Sequence, residues 1–238
     1  SIVYPAAETP FLTLSLRNAS LKEQCGLHIT GMQASAALDS LGVRLPALSL
    51  RTPASTLYAQ LSFNYASLDE QQIANSYSPG AQQIVNQSVN SEFNIDATLS
   101  PHDVACFYPL KSLPDWPVTV KATVSGNSTK ADIGSLVLDI PTVLHAETQG
   151  SVVLSSGYHS LSTIGYSLSL HNPAQLLAAL GIRQSDWRVP PGVRLNGTLL
   201  SDGRQYTADF TARDGGTTMK GRALYAASSD SYTADVRI

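Results

Sequence analysis

The sequence is poor in charged and aromatic residues and in cysteine. Only 14% of its 238 residues are charged and 7% are aromatic, with two cysteines and two tryptophans. The net charge is −3 and the Lys and Arg residues are scattered. The chain therefore offers no basic patch for phosphate backbones, and nucleic acid is not an expected partner. No run of about 18 apolar residues and no signal-peptide pattern occurs, so no membrane-spanning helix is expected in it.

The residues that most often carry catalysis or metal binding are also sparse. The five histidines show neither H-x-H nor H-E-x-x-H spacing, and Cys25 and Cys106 form no C-x-x-C pair. We therefore expect no metal site, no cofactor and no enzymatic activity. The two cysteines are expected to be buried free thiols, although a single disulfide remains open if the compartment is oxidising.

Alternation of apolar and polar residues dominates what is present. Leu12, Leu14 and Leu16 alternate with polar residues, and the same pattern recurs at residues 57–65, 118–124 and 193–199. A period of two is typical of strands with one buried face. Gly-containing turns such as Ser125-Gly126-Asn127 separate these segments. The sequence therefore predicts an all-β fold of consecutive antiparallel strands.

Two short helices are predicted between the strands. Asn172 can cap a helix that begins at Pro173, and Ser100 can cap one that begins at Pro101. Asp103 lies in the first turn of the earlier helix, where a carboxylate interacts favourably with the helix dipole. We expect both helices to occupy equivalent environments, because each is followed by a proline-containing segment and an alternating strand.

Internal repetition indicates how the strands are organised. Tyr-Thr-Ala-Asp occurs at residues 206–209 and again at residues 232–235. We interpret residues 1–238 as a single repeat-built domain with units at approximately 94–166 and 167–238 and a polar connection at 69–90. Alternation that continues to Ile238 without a following turn suggests a piece of a longer array. Such arrays present long surfaces, which favours binding or conduction over catalysis.

Several segments resemble a known family. Residues 100–105 followed by Pro109, and then the strand at 117–126 ending in Ser-Gly, are similar to the helix-then-strand units of the AsmA-like superfamily, in particular of TamB-type translocation and assembly module proteins of Gram-negative bacteria. Residues 172–181 and 193–199 repeat that order. The strand pair at 221–236 resembles the versions found in Bacteroidetes. The resemblance extends over residues 91–238.

The resemblance implies both a fold and a function. The fold would be an elongated antiparallel sheet with two short helices, curled into a trough whose apolar concave face holds phospholipid acyl chains. The full-length chain would be anchored in the inner membrane, cross the periplasm and assist outer-membrane biogenesis, paired with an outer-membrane assembly protein. The family places that docking at a C-terminal domain whose pattern is missing here, so it is not carried over to this segment.

The predicted groove lining follows from strand parity together with the resemblance. Its ten members are apolar residues of four alternating segments: Leu61, Phe63, Val118, Val120, Val124, Val193, Leu195, Leu199, Tyr206 and Phe210. One alternative remains open, a structural or adhesive β-sandwich that covers the same face with a second sheet and could bind glycans. An outer-membrane barrel is disfavoured, because its aromatic girdles would require more than 7% aromatic residues.

Overall fold

The computed structural model of the chain describes residues 12–39, 42–64, 90–107, 116–127, 129–154, 161–179 and 188–238. The predicted connection at 69–90 lies outside these residues except for Asn90, and Tyr65, Pro109 and Gly181 also lie outside them. Thirteen strands and two helices are described. The strands are β1 (Leu12–Lys22), β2 (His28–Leu38), β3 (Gly42–Arg51), β4 (Thr56–Asn64), β5 (Asn90–Leu99), β6 (Val118–Gly126), β7 (Lys130–Ile140), β8 (Leu144–Val153), β9 (Ser162–Leu170), β10 (Val193–Ser201), β11 (Gln205–Asp214), β12 (Thr217–Ala226) and β13 (Ser231–Arg237); the helices are α1 (Pro101–Val104) and α2 (Pro173–Ala179).

All thirteen strands belong to one antiparallel sheet whose spatial order is the order of the sequence. β1 and β13 form the two edges and are not paired with each other, so the sheet is open and curled rather than closed. Register shifts interrupt the β1–β2, β2–β3, β3–β4, β6–β7 and β7–β8 pairs. Extra residues of this kind bend a strand and increase its local twist. The predicted all-β fold with two short helices is confirmed.

The described residues do not form two packed sheets. Extensive contacts join only strands that are neighbours in the single sheet. Few apolar side chains of the described residues are fully covered, and they are Leu27, Ile29, Ala59, Ala97, Val143 and Leu144. The β-sandwich considered from the sequence is therefore not the architecture of this part of the chain.

Both helices begin where the sequence predicts. Ser100 caps α1 by accepting a hydrogen bond from the backbone N–H of His102, and Asn172 Oδ1 accepts from the backbone N–H of Gln175 at 3.2 Å. The side-chain Nδ2 of Asn172 in turn donates to Gln175 Oε1 at 2.9 Å, which holds the capping side chain in place. α1 is short: the helix ends at Val104, and turns follow to Phe107.

The helices follow strands that are four positions apart in the sheet. α1 comes directly after β5 and α2 comes directly after β9. Both lie at the same end of the sheet, which we call the helix end; it also contains the β1–β2, β3–β4 and β7–β8 connections. The predicted unit boundaries at residues 94 and 166 fall inside β5 and β9, so the structural unit is four strands and one helix.

Candidate functional site

The strand register divides the sheet into an apolar face and a polar face. We define the apolar face as the one that carries Val120 and its cross-strand partners Ala97 and Leu138. Following the partners from strand to strand assigns every regularly paired residue to one face, because side chains alternate along each strand. Among the regularly paired residues, only Asp214, at the end of β11, brings a charge to the apolar face.

All ten residues predicted to line the groove lie on the apolar face. They belong to β4, β6, β10 and β11: Leu61, Phe63, Val118, Val120, Val124, Val193, Leu195, Leu199, Tyr206 and Phe210. The polar residues that alternate with them, Gln60, Ser62, Lys121, Arg194, Asn196 and Asp209, lie on the polar face. The register brings the ten residues to one surface but into two groups, separated by β7, β8 and β9.

Residues absent from the predicted set connect the two groups. Leu138, Ala146 and Leu168 are direct cross-strand partners in β7, β8 and β9, and they join Val120 to Leu195. The alternation of Leu144, Ala146 and Val152 with polar neighbours is the sequence signal that could have identified β8 in full.

The connected residues form a continuous row, which we call the apolar row. It contains one directly paired residue from each of twelve strands, namely Ala19, Met32, Leu50, Leu57, Ala97, Val120, Leu138, Ala146, Leu168, Leu195, Ala212 and Met219. Eleven interstrand steps of about 4.8 Å give the row a length of roughly 50 Å. This distance exceeds the roughly 30 Å hydrocarbon thickness of a bilayer.

Most residues of the apolar face are only partly covered. Leu14 in β1 is 66% exposed, and Val236 in β13 is 47% exposed. Between these edges the row residues are mainly half-buried, with Ala97 as the main covered exception. A large, contiguous and partly exposed apolar surface typically marks an interaction site in a soluble domain.

Charged side chains pair with one another on the opposite face. Arg222 donates two hydrogen bonds to Asp209, at 2.6 and 3.0 Å, and lowers the pKa of that carboxyl. Lys121 lies 3.2 Å from Asp96 on the neighbouring strand. These exposed pairs contribute little stability. The position of these pairs separates the charged side chains from the apolar ones, because the two kinds lie on opposite sides of the sheet.

Aromatic side chains lie over glycines on the apolar face. A Cβ at Gly197 would lie 2.5 Å from Tyr166 Oη, and a Cβ at Gly221 would lie 2.4 Å from the Phe210 ring. Burial, followed by the charge of Asp209, raises the pKa of Tyr166. The absence of side chains at the two glycines lets the rings lie along the sheet, so the aromatic residues contribute a smooth apolar surface.

A ladder of three tyrosines extends the apolar face towards β13. Tyr206, Tyr225 and Tyr232 are cross-strand partners, with ring centroids 5.9 Å apart for the first pair and 4.7 Å apart for the second. The two Tyr-Thr-Ala-Asp repeats thus place Tyr206 and Tyr232 on the same face, on either side of Tyr225. Tyr232 remains 74% exposed at the edge.

Asp103 does more than interact with a helix dipole. Its Oδ2 accepts hydrogen bonds from the hydroxyls of Thr52 and Ser55, at 2.6 and 2.5 Å, and so fastens α1 to the β3–β4 connection. Ser55 Oγ also accepts from the backbone N–H of Ser100 at 2.8 Å. The sequence did not indicate this contact, because the hydroxyls lie 51 and 48 residues before the carboxylate.

The corresponding contact at α2 is made by backbone hydrogen bonds. Val143, in the β7–β8 connection, is fully buried, and its carbonyl accepts hydrogen bonds from the backbone N–H groups of His171 and Asn172 at 2.9 and 3.1 Å. Each helix is therefore anchored to the connection two strands before it. The helix end holds the covered apolar residues, and the rest of the apolar face is left accessible.

The polar face carries a groove with a volume of about 470 Å³ over β7, β8, β9 and β10. Its lining includes Val137, Glu147, Gln149, Ser167 and Asn196 from the polar face. Next to it, His145 contacts Asp139 and Glu147, each at 3.1 Å. The hydrogen bonds to these carboxylates, that to Asp139 first, raise the pKa of His145.

The described residues contain no group of three His, Cys, Asp or Glu side chains arranged to hold a metal ion. Within the same residues, no helix is long and apolar enough to cross a membrane. Comparison of the chain with protein-family models, curated proteins and solved structures found no match. The candidate site therefore rests on its own geometry.

Proposed function

We propose that the apolar face binds the acyl chains of phospholipids and that this chain is a segment of a TamB-type lipid conduit. The observation that carries the proposal is the apolar row, which crosses twelve strands and is not covered by a second sheet of the described residues. In this proposal the segment lies in the periplasm, the full-length chain is anchored in the inner membrane, and lipid moves towards the outer membrane.

The energetics of an open apolar face suit a mobile ligand. Complete burial of one methylene group contributes about 0.8 kcal/mol, so a methylene lying on a surface gains roughly half as much. An acyl chain with about ten methylenes on the row would gain on the order of 4 kcal/mol. This attraction is non-directional, because Leu, Val and Ala side chains offer no polar group that fixes one position. The chain can therefore slide along the row while its headgroup remains in water.

Site-specific photo-crosslinking tests the proposal directly. A photoreactive amino acid is placed at Leu168 or Leu195 on the apolar face, and in matched variants at the adjacent polar-face positions Ser167 and Asn196. Each purified protein is mixed with phosphatidylglycerol vesicles, irradiated and analysed by intact mass. We expect phospholipid adducts at positions 168 and 195 and none at 167 and 196. Equal labelling of both faces, or no labelling of either, would contradict the proposal.

One observation favours a second candidate function. The groove on the polar face is lined largely by side chains that are able to donate or accept hydrogen bonds. Such a lining suits a polar ligand such as a glycan better than an acyl chain. Glycan binding at this groove is the adhesive function that the sequence left open. The groove lies on a single open sheet and does not need the β-sandwich fold. Chemical-shift changes on adding soluble oligosaccharides, confined to residues such as Gln149 and Asn196, would support it over the lipid proposal.

A further inference from the structure

The two cysteines are close together despite their distance in sequence. Cys25 lies in the β1–β2 connection, and Cys106 follows α1, 81 residues later. The thiol of Cys106 donates to the backbone carbonyl oxygen of Cys25 at 3.2 Å. A hydrogen bond with the side chain of Cys25 is also the first cause that raises the pKa of Cys106. Contrary to the sequence prediction, neither thiol is buried, since Cys25 is exposed and Cys106 is half-buried.

The fold holds both residues in this arrangement. Three interstrand spacings, roughly 14 Å, separate β2 from β5, so the end of β5 alone would not reach the β1–β2 connection. α1 covers that distance because Asp103 fastens it to Thr52 and Ser55, above the intervening strands. On the other side, the backbone N–H of Gly26 donates to the carbonyl of Glu23 at 3.1 Å and fixes the turn that contains Cys25.

We propose that Cys25 and Cys106 are a redox-active pair that forms an intramolecular disulfide when the protein meets a disulfide oxidant. One thiolate attacks the disulfide of the oxidant and forms a mixed disulfide, releasing one thiol of the oxidant. The second cysteine then attacks the mixed disulfide, closes the Cys25–Cys106 bond and releases the other thiol. Two electrons and two protons pass from the cysteines to the oxidant.

The disulfide would tie α1 to the β1–β2 connection and fix the curl of the sheet at the helix end. It would join residues on both sides of β3 and β4, whose connection already holds Asp103. Closure of a loop of this length restricts the unfolded chain strongly, which stabilises the folded protein. This inference is independent of the lipid proposal, since it concerns the helix end and not the apolar row.

Thiol counting after redox equilibration tests the pair. The whole chain is equilibrated with oxidised or with reduced glutathione, quenched in acid, unfolded, treated with a maleimide and weighed intact. We expect the oxidised sample to be monomeric, two hydrogens lighter and unalkylated, and the reduced sample to take up two maleimides. Cys25→Ser and Cys106→Ser each remove one partner and should leave a single thiol that never forms an intramolecular bond.

Thermal melting tests the structural consequence. The oxidised protein should melt on the order of 10 °C above the reduced protein, and neither serine variant should show this difference. Free thiols that persist in oxidised glutathione, glutathione adducts on both cysteines, or disulfide-linked dimers in place of the internal bond would overturn the proposal. An internal disulfide with no change in melting would overturn its role in fixing the helix end.

Discussion

The substitution Leu195→Asp distinguishes two interpretations of the apolar face, an accessible surface and a closed core. Leu195 is the tenth of the twelve residues in the apolar row, is paired with Leu168 and Ala212, and is partly exposed. The next residue, Asn196, pairs with Ser167 and Thr211 on the polar face. Asn196→Asp therefore adds the same carboxylate one position away on the other side of the sheet, and serves as the matched control.

The expected loss of stability is small because the site is open. Complete burial of a leucine contributes about 1.5 to 3 kcal/mol, so Leu195, which is mostly covered, contributes about 1 to 2.5 kcal/mol. The low strand propensity of aspartate adds up to about 1 kcal/mol. The carboxylate itself stays hydrated, because no second sheet of the described residues covers it. We expect a melt that stays cooperative and is lowered by roughly 5 to 10 °C, whereas a carboxylate in a closed core would abolish the cooperative melt or lower it much further.

The effect on lipid should be much larger. An acyl chain that crosses the row at position 195 would remove water from the carboxylate, which costs several kcal/mol and corresponds to at least about a tenfold loss of bound lipid. The assay is quantification of phospholipid retained by the purified protein after incubation with phosphatidylglycerol vesicles. Val120→Glu, at the equivalent place in β6, should behave like Leu195→Asp, and Asn196→Asp should retain lipid like the parent.

Two results would refute this reasoning. If both apolar-face variants lose their cooperative melt, the face is a packed core and not an accessible surface. If a well-folded Leu195→Asp protein retains as much phospholipid as Asn196→Asp, acyl chains do not lie on the apolar row. The first result contradicts the interpretation of the fold, and the second contradicts the proposed function.

Two further predictions concern polar contacts outside the apolar row. Asp103→Ala should lower the free energy of unfolding by about 2 kcal/mol, because it leaves two covered hydroxyls without their carboxylate partner. The control Asp96→Ala removes an exposed ion pair and should cost less than about 1 kcal/mol. Chemical denaturation measures both values, and equal losses would contradict the anchoring role of Asp103. His145 has a pKa raised mainly by Asp139, so its stabilising contribution is complete below the unfolded-state pKa of about 6.5 and is lost as pH rises through the folded-state value. The stability difference between the parent and His145→Asn should therefore be larger at about pH 5.5, where His145 is charged and its carboxylate partners are still ionised, than in alkali, and a pH-independent difference would contradict it.

Much of the sheet could be predicted from alternation alone. The parity of residues such as Val118, Val120 and Val124 fixes their common face, because successive side chains of a strand point to opposite sides. The starts of both helices could also be predicted from the sequence, because a capping residue followed by proline acts within one helical turn. β8 is less evident from the sequence, because Thr148 and Gly150 interrupt its apolar positions with residues of low hydrophobicity.

Contacts between distant segments could not be predicted in the same way. The residues around Asp103 predict only a role in the first turn of a helix. Its contact with Thr52 and Ser55 exists only in the folded sheet. Cys25 and Cys106 also look isolated in sequence until α1 carries the second towards the first. Each contact requires several strands to pair in order, and a local pattern contains no information about which distant connection lies beneath a helix.

The sequence by itself determined which residues share a face, because strand parity is a property of a few consecutive residues. The tertiary structure decided that these faces join into one apolar row across a single open sheet and, within the described part of the chain, do not close against a second sheet. Alternation of apolar and polar residues is expected both for a sandwich and for an open sheet, because in both folds the apolar residues lie on one side of each strand. Only the pairing of each strand with its neighbours, from β1 to β13, distinguishes them.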